Sequence, residues 1–303
     1  MYFKSNGKLL LTNEYVVLDG AKALAIPTAY GQSLTVTPNT TETIIWESYD
    51  HNQSLWLRET FTYKDIVVKT QLHGTGSRER LLQIFHAARC LNADFLTIPK
   101  GLTISTHLDF PKHWGLGTSS TLINNVAQWA NVDAYALLAK TFGGSGYDIA
   151  CAKHNTPIIY QIVNEKPSVQ HVNFKPMFHG HLFFVYLNKK QNSRDGIAHY
   201  LANKGKNLNA LIAELNTITE AMVNCCVLEE FKNLMDQHEC IIANITSQNT
   251  VKAALFNDFE GSIKSLGAWG GDFILVASNE NPTSYFSNKG FNTIIPFAKM
   301  VRQ

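Results

Sequence analysis

Over the first third of the chain, apolar positions come in short runs or alternate with polar ones, at 9–11, 15–18, 33–37, 43–46, 55–57 and 66–70. That pattern predicts β-strands, and turn residues such as Asp19-Gly20 and Pro38-Asn39 separate several of them. From 78 to 91 the spacing becomes helical, with Leu81, Leu82, Phe85, Ala88 and Leu91 on one face, and a short strand at 102–106 follows. A glycine-rich tract then leads into a helical pattern at 122–129. Asp133 has the chemistry to cap a further helix through Ala136, Leu137, Leu138 and Lys140, which Gly143-Gly144 would stop. Another helix is expected to start near 145–148.

The apolar run 157–163 predicts a strand, and the polar stretch 164–168 marks a boundary between a domain 1–165 and a domain 166–303. The remainder alternates: a strand at 181–187, helices at 207–222 and 227–245, a strand at 273–278, a short helix at 282–288 and a last strand at 292–296. Strands mixed with helices that pack on one face predict an α+β architecture.

Composition narrows the function. With 303 residues, 45% hydrophobic and 17% charged, the chain can bury one large core or two medium ones. A formal net charge of +2, from 26 basic and 24 acidic residues, advertises neither a nucleic acid nor a membrane as partner. It leaves room for a small anionic ligand. The opening residues lack a secretory pattern and no apolar run approaches a membrane span, so a cytoplasmic protein is expected. Cys90, Cys151, Cys225, Cys226 and Cys240 form no Cys-x-x-Cys pair and are expected to be buried reduced thiols.

The strongest chemical signal is Gly115-Leu116-Gly117-Thr118-Ser119-Ser120, which runs straight into the helical pattern. Two glycines allow a tight turn with inward N–H groups, and a helix start adds unpaired N–H groups and a positive dipole end. Such a cradle suits a triphosphate, and Ser119 or Thr118 can offer a hydroxyl to Mg²⁺. Taken alone, the tract equally fits a capped strand-to-helix turn. The chain contains neither the Gly-x-x-x-x-Gly-Lys-Ser/Thr loop nor a dinucleotide fingerprint.

Two further tracts settle that choice by resemblance. Gly7-Lys8-Leu9-Leu10-Leu11-Thr12-Asn13-Glu14-Tyr15, the glycine-rich tract, and Lys264-Ser265-Leu266-Gly267-Ala268-Trp269-Gly270-Gly271-Asp272 stand in the order of three motifs of the GHMP kinases, the family of galactokinase, homoserine kinase, mevalonate kinase and phosphomevalonate kinase. The resemblance spans nearly the whole chain. It implies a two-domain GHMP kinase fold: an N-terminal α/β domain with a left-handed βαβ-type, ribosomal S5-like core, a C-terminal ferredoxin-like domain, and ATP with Mg²⁺ in the cleft between them. Ser145-Gly146-Tyr147-Asp148-Ile149-Ala150 resembles the segment that carries the catalytic aspartate of mevalonate-type members. By that likeness Asp148 accepts or orients the acceptor hydroxyl, and Lys8 lies beside it to neutralise charge. Gly115 to Ser120 bind phosphates, Gly267, Ala268, Trp269, Gly270 and Gly271 line the cleft, and Glu14, Tyr15, Tyr147 and Arg194 are candidate substrate contacts.

The chain departs from the family pattern at three places. Asn13 and Trp269 replace glycines, and the only acidic residue between Thr121 and Asp148 is Asp133, already assigned as a cap. The metal would therefore rest on Ser119, Asp148 and ATP oxygens, or on a ligand from elsewhere. Trp269 would line the substrate pocket, close part of the nucleotide cleft, or pack at a domain interface. Lys189, Lys190, Ser193 and Arg194 fit an anionic acceptor or a solvated basic loop. Expected partners are ATP and a small anionic or polyol substrate, with a homodimer left open. Phosphomevalonate is slightly preferred over mevalonate as acceptor; a sugar or amino-alcohol kinase of galactose or homoserine type, and a catalytically silent nucleotide-binding homologue, are the alternatives.

Overall fold

The computed structural model describes residues 1–67, 76–98, 100–191, 193–205 and 208–302. In chain order the elements are β1 (Tyr2–Leu10), a 3-10 turn (Val16–Asp19), β2 (Ala23–Pro38), β3 (Ile44–Tyr49), β4 (Leu55–Phe61), α1 (Tyr63–Val67), α2 (Ser77–Leu91) and β5 (Leu102–Leu108). Then come α3 (Thr118–Ala130), α4 (Ala134–Thr141), α5 (Tyr147–Lys153), β6 (Ile158–Val163), β7 (Lys166–His171), a 3-10 turn (His179–His181) and β8 (Leu182–Tyr186). The chain ends with α6 (Ser193–Asn203), α7 (Asn209–Asn224), α8 (Leu228–Thr246), α9 (Val251–Leu255), β9 (Ser262–Ser265), β10 (Phe273–Ala277), α10 (Thr283–Asn288), β11 (Ile294–Pro296) and α11 (Phe297–Met300).

These elements form two compact units, Met1–Gly7 with Tyr30–Lys112 and Leu116–Lys153, and Lys8–Ala29 with His113–Gly115 and His154–Gln303. The chain passes between them several times. In the first unit the strand order is β4-β3-β5-β2, with β3 and β5 parallel and the other pairs antiparallel. A parallel pair needs a crossover connection, and α2 lies on it. Trp46, Phe61 and Phe85 pack edge to face at 5.6–5.8 Å in the core beneath α2.

In the second unit the antiparallel order is β11-β8-β10-β9. Every residue of β8 and β10 is buried, so these two strands read as continuous apolar runs rather than as alternation. The first half of β2 pairs with β6, and β6 with β7.

The mixed architecture agrees with the α+β expectation, and several local expectations change. The expected strand at 15–18 is replaced by the 3-10 turn Val16–Asp19 with Tyr15 ahead of it, because Asn13 and Tyr15 both adopt positive φ (60° and 66°) that breaks extension on either side of Glu14. In the expected strand 66–70, Ile66 and Val67 end α1, and 68–70 lie outside the described residues, as does residue 207 of the expected helix 207–222. The polar stretch 164–168 begins with the turn of the β6–β7 hairpin; Asn164 and Glu165 take the paired positive φ (48° and 62°) that a tight two-residue hairpin requires. Of the five free cysteines only Cys151 and Cys225 are buried; Cys90, Cys226 and Cys240 are exposed. No described helix is long and apolar enough to cross a membrane.

Candidate active site

The glycine-rich tract ends in α3, and its geometry is set by one residue on each side of the turn. Leu116 is fully buried, so it contributes backbone alone to any ligand. Gly117 has φ 92°, a conformation that costs an L-residue roughly 1–2 kcal/mol, and it turns the chain directly into the helix. No side chain caps α3. The N–H groups of Thr118, Ser119 and Ser120 are first-turn donors without intrahelical acceptors, and they point where the helix dipole favours an anion. Ser120 Oγ donates to Gly117 O at 2.9 Å, so its hydroxyl braces the loop and only its N–H is offered. Ser119 is exposed and keeps its hydroxyl for a ligand.

A buried polar network aims this helix. Ser5 Oγ donates to Asn125 Oδ1 at 2.7 Å, Asn124 Nδ2 donates to Ser5 Oγ at 2.8 Å, Asn125 Nδ2 to Gln32 O at 2.9 Å, and Thr121 Oγ1 to Gln32 Oε1 at 2.8 Å. Apolar packing alone leaves a helix free to slip, whereas satisfied buried hydrogen bonds fix its rotation. Asn124 also reaches Ala152 O of α5 at 3.4 Å. Asp148 lies in the first turn of α5, half-buried beside Tyr147, where its Oδ1 accepts the Ile149 N–H at 3.0 Å.

The root of the loop belongs to the second unit. Tyr186 donates its hydroxyl hydrogen to His113 O at 3.1 Å, and Trp114 meets the Phe273 ring edge to face at 5.4 Å. A Cβ at Gly115 would collide with the Asp272 carboxylate, so that glycine is required by close approach as well as by φ 71°. Asp272 N donates to Lys189 O at 2.7 Å, and its Oδ1 accepts the Gln191 N–H at 3.2 Å. The third motif and the basic stretch 189–191 are thus one bonded structure. Burial raises the Asp272 carboxyl above its ordinary range, opposed by the charges of Lys8 and Lys190. Lys8, at the end of β1, is half-buried.

Glu14 and Tyr15, expected as substrate contacts, are turned inward. The Glu14 side chain is fully buried and pairs with Lys264 Nζ at 2.6 Å. Tyr15 is buried, and its hydroxyl accepts the Trp269 N–H at 2.9 Å. Arg194 is exposed on α6, whose Gly196 approaches Tyr15 so closely that a Cβ there would lie 2.5 Å from the tyrosine oxygen.

Of the placements left open for Trp269, the packed one fits its surroundings. Its side chain is 3% exposed and packs with Tyr15, Val16, Tyr200, Leu208, Leu215, Ile242 and Ile245. The left-handed residues of the third motif are Gly267, Gly270 and Asp272, and Trp269 is not among them. A side chain at 269 is therefore compatible with the loop backbone. Asn13 sits in the left-handed region, as asparagine tolerates, and its N–H donates to His238 Nε2 at 2.9 Å.

Sequence reasoning missed Glu239, which accepts Ser265 N–H and Oγ–H at 3.0 and 2.7 Å, and the role of Lys264. A glutamate in mid-helix carries no pattern that distinguishes it from a solvated one. The donors available to a metal suit Mg²⁺, which is content with one or two protein oxygens plus phosphates and water: Ser119 offers a hydroxyl and Asp148 a carboxylate, while Asp133 accepts Ala136 N–H at 2.8 Å and is spent as the cap. No cluster of three or more His, Cys, Asp or Glu side chains able to hold a metal occurs among the described residues.

No protein-family profile and no curated protein sequence matches the chain. Solved structures do. The chain is similar to the Methanococcus jannaschii mevalonate kinase (TM-score 0.70, 16% identity, covering 97% of this chain and 96% of that one). It is also similar to the Streptococcus pneumoniae phosphomevalonate kinase solved with phosphomevalonate and AMPPNP (0.66, 14%, 95% of each chain). A third likeness is to the Lactococcus lactis galactokinase solved with galactose (0.68, 13%, 99% and 92%). The fold is that of the kinases whose motifs the sequence resembles.

Proposed function

We infer that this protein is an ATP-dependent small-molecule kinase, transferring the γ-phosphoryl group to a hydroxyl or phosphate oxygen of an acceptor of the mevalonate or phosphomevalonate class. The observation that carries the reading is the uncapped start of α3, entered through a left-handed Gly117 and aimed by a buried polar network. In this reading the N–H groups of Thr118, Ser119 and Ser120 hold the polyphosphate, and Ser119 Oγ is the protein's first ligand to Mg²⁺. The metal supplies neutralisation of the phosphate charge. Asp148 receives the acceptor's hydroxyl proton, or orients that hydroxyl, as the bond from γ-phosphorus to the β,γ-bridging oxygen breaks and the bond to the acceptor oxygen forms. Lys8 neutralises charge that accumulates on the transferring group. Lys190 and Arg194 favour an anionic acceptor. A cytoplasmic location, where ATP is plentiful, fits this reading.

Calorimetric titration with Mg²⁺ and a non-hydrolysable ATP analogue tests the cradle. The wild type should bind, and Gly117→Val, which strains the turn and places a branched side chain against the phosphate bed, should weaken binding by about tenfold or more. Equal affinity in the two proteins removes the loop from the site.

A further inference from the structure

Two stretches about 250 residues apart in sequence meet inside the second unit. One is the turn Asn13-Glu14-Tyr15 of the first motif. The other is β9 and the loop after it, Lys264 to Gly271. Lys264 Nζ lies 2.6 Å from Glu14 Oε1 and 3.8 Å from Glu239 Oε2, with both lysine and Glu14 side chains at 0% exposure. Ser265 is tied to Glu239 of α8 through N–H and hydroxyl, Asn13 N–H is taken by His238 of the same helix, and Asn13 Nδ2 reaches Thr219 of α7 at 3.1 Å. The last bond of the series, Trp269 N–H to Tyr15 Oη, lies in the third-motif loop itself.

This arrangement is a poor device for stability. A buried ion pair recovers little beyond its desolvation cost, and well-packed apolar residues of similar volume commonly do as well. The local ledger is also unbalanced, since two carboxylates share one ammonium and His238 is held neutral by burial and by the Lys264 charge. Among the described residues, the buried side-chain atoms without a hydrogen-bond partner are Glu14 Oε2, Glu239 Oε2, His238 Nδ1 and Trp269 Nε1, all of them in residues of this one region. Unsatisfied buried groups cost about 1–3 kcal/mol each and are tolerated where geometry matters more than stability.

We propose that Glu14, Lys264 and Tyr15 are positioning residues that lock the first-motif turn to the third-motif loop and so fix where residues 267–271 stand. The inference rests on the kinase reading for its functional consequence and on the packing alone for its mechanical one. Glu14 and Tyr15 then serve the reaction from behind the loop, and neither touches substrate. The lock also gives the second unit a pH response. The charged groups acting on Glu14 are Lys264 from β9 and Glu239 from α8, and Tyr15 feels the Glu14 charge in turn; His238 faces Lys264, and Asp236 acts on Glu239. Burial pushes the Glu14 carboxyl up to about 7 from an ordinary 4.5 and raises Glu239 as well. A carboxyl whose folded value is raised stabilises the fold fully below the unfolded value and loses that contribution as pH climbs through the folded one. Stability should therefore fall as pH rises from about 4.5 to above about 7, and Glu14→Gln should flatten that slope.

The lock itself is tested in the full chain with Glu14→Leu/Lys264→Met, which removes both charges together, and with Tyr15→Phe, which removes only the hydroxyl. A pair with no locking role would leave amide exchange at 265–271 and nucleotide binding of the double variant like those of the wild type. The lock predicts a folded protein in which the Trp269 amide exchanges hydrogen about tenfold faster or more, and in which Mg²⁺ with an ATP analogue binds correspondingly more weakly. Unchanged exchange at 265–271 in the double variant overturns the proposal. If the double variant does not fold, Tyr15→Phe decides by the same exchange measurement, with an unaltered Trp269 amide as the contrary result. A wild type that binds no nucleotide sinks the kinase reading instead, and the exchange comparison still judges the lock.

Discussion

Asp148→Asn should lower kcat by about 10²–10⁴-fold when the acceptor is a hydroxyl, with little change in thermal stability. Asparagine keeps the size and the short bond to the Ile149 N–H but cannot take up a proton at neutral pH. The size of the loss also reports on the acceptor. A phosphomonoester oxygen is already an anion at neutral pH and needs no base, so with a phosphorylated acceptor the same substitution should cost far less in kcat and act mostly through KM. Comparing kcat and KM of wild type and Asp148→Asn on mevalonate and on phosphomevalonate checks both points. A variant with wild-type kcat on every acceptor that turns over would remove Asp148 from the chemistry.

Trp269→Gly restores the residue that the family pattern has at this position, yet it should damage the protein rather than open it. The indole is packed among Tyr15, Tyr200, Leu208, Leu215, Ile242 and Ile245, and emptying such a site costs about 3–5 kcal/mol, with roughly 0.5–1 kcal/mol more from the freedom of glycine. Set against a total stability of about 5–15 kcal/mol, that leaves a marginal fold. Urea unfolding should show the midpoint collapse. Unchanged stability with an altered acceptor KM would mean instead that the ring lines the substrate pocket. The same packing takes away the reason for regarding the chain as a silent homologue whose site Trp269 closes.

Much of this was legible in the residues, and the failures have physical causes. The Asp133 cap and the Gly143-Gly144 stop are local chemistry, and both stand, Ala136 N–H meeting Asp133 and Gly143 N–H returning to Leu138 O at 2.9 Å. The left-handed turns at Gly115 and Gly117 were legible because glycine spacing reflects backbone angles directly. Val16 and Val17 are buried like strand residues, but burial alone does not distinguish a strand from a 3-10 turn. β9 went unseen because Ser262, Lys264 and Ser265 are polar yet buried. Their polar groups are spent on partners 26 to 250 residues away, Ser262 on Asp236, Lys264 on Glu14 and Ser265 on Glu239, and no window of sequence contains such pairings. Asp272 against Gly115 is hidden for the same reason. β7, paired with β6 across the Asn164-Glu165 turn, went unseen as a strand because it is exposed on both faces and has no apolar stripe to betray it.

Phosphoryl transfer from ATP to a small acceptor is read by phosphorus NMR of the wild type with Mg²⁺, ATP and, in turn, mevalonate, phosphomevalonate, galactose and homoserine. The expected products are ADP together with a new phosphate ester from mevalonate or a new diphosphate from phosphomevalonate. ATP left intact with all four acceptors, or transfer to galactose or homoserine alone, would contradict the proposed function.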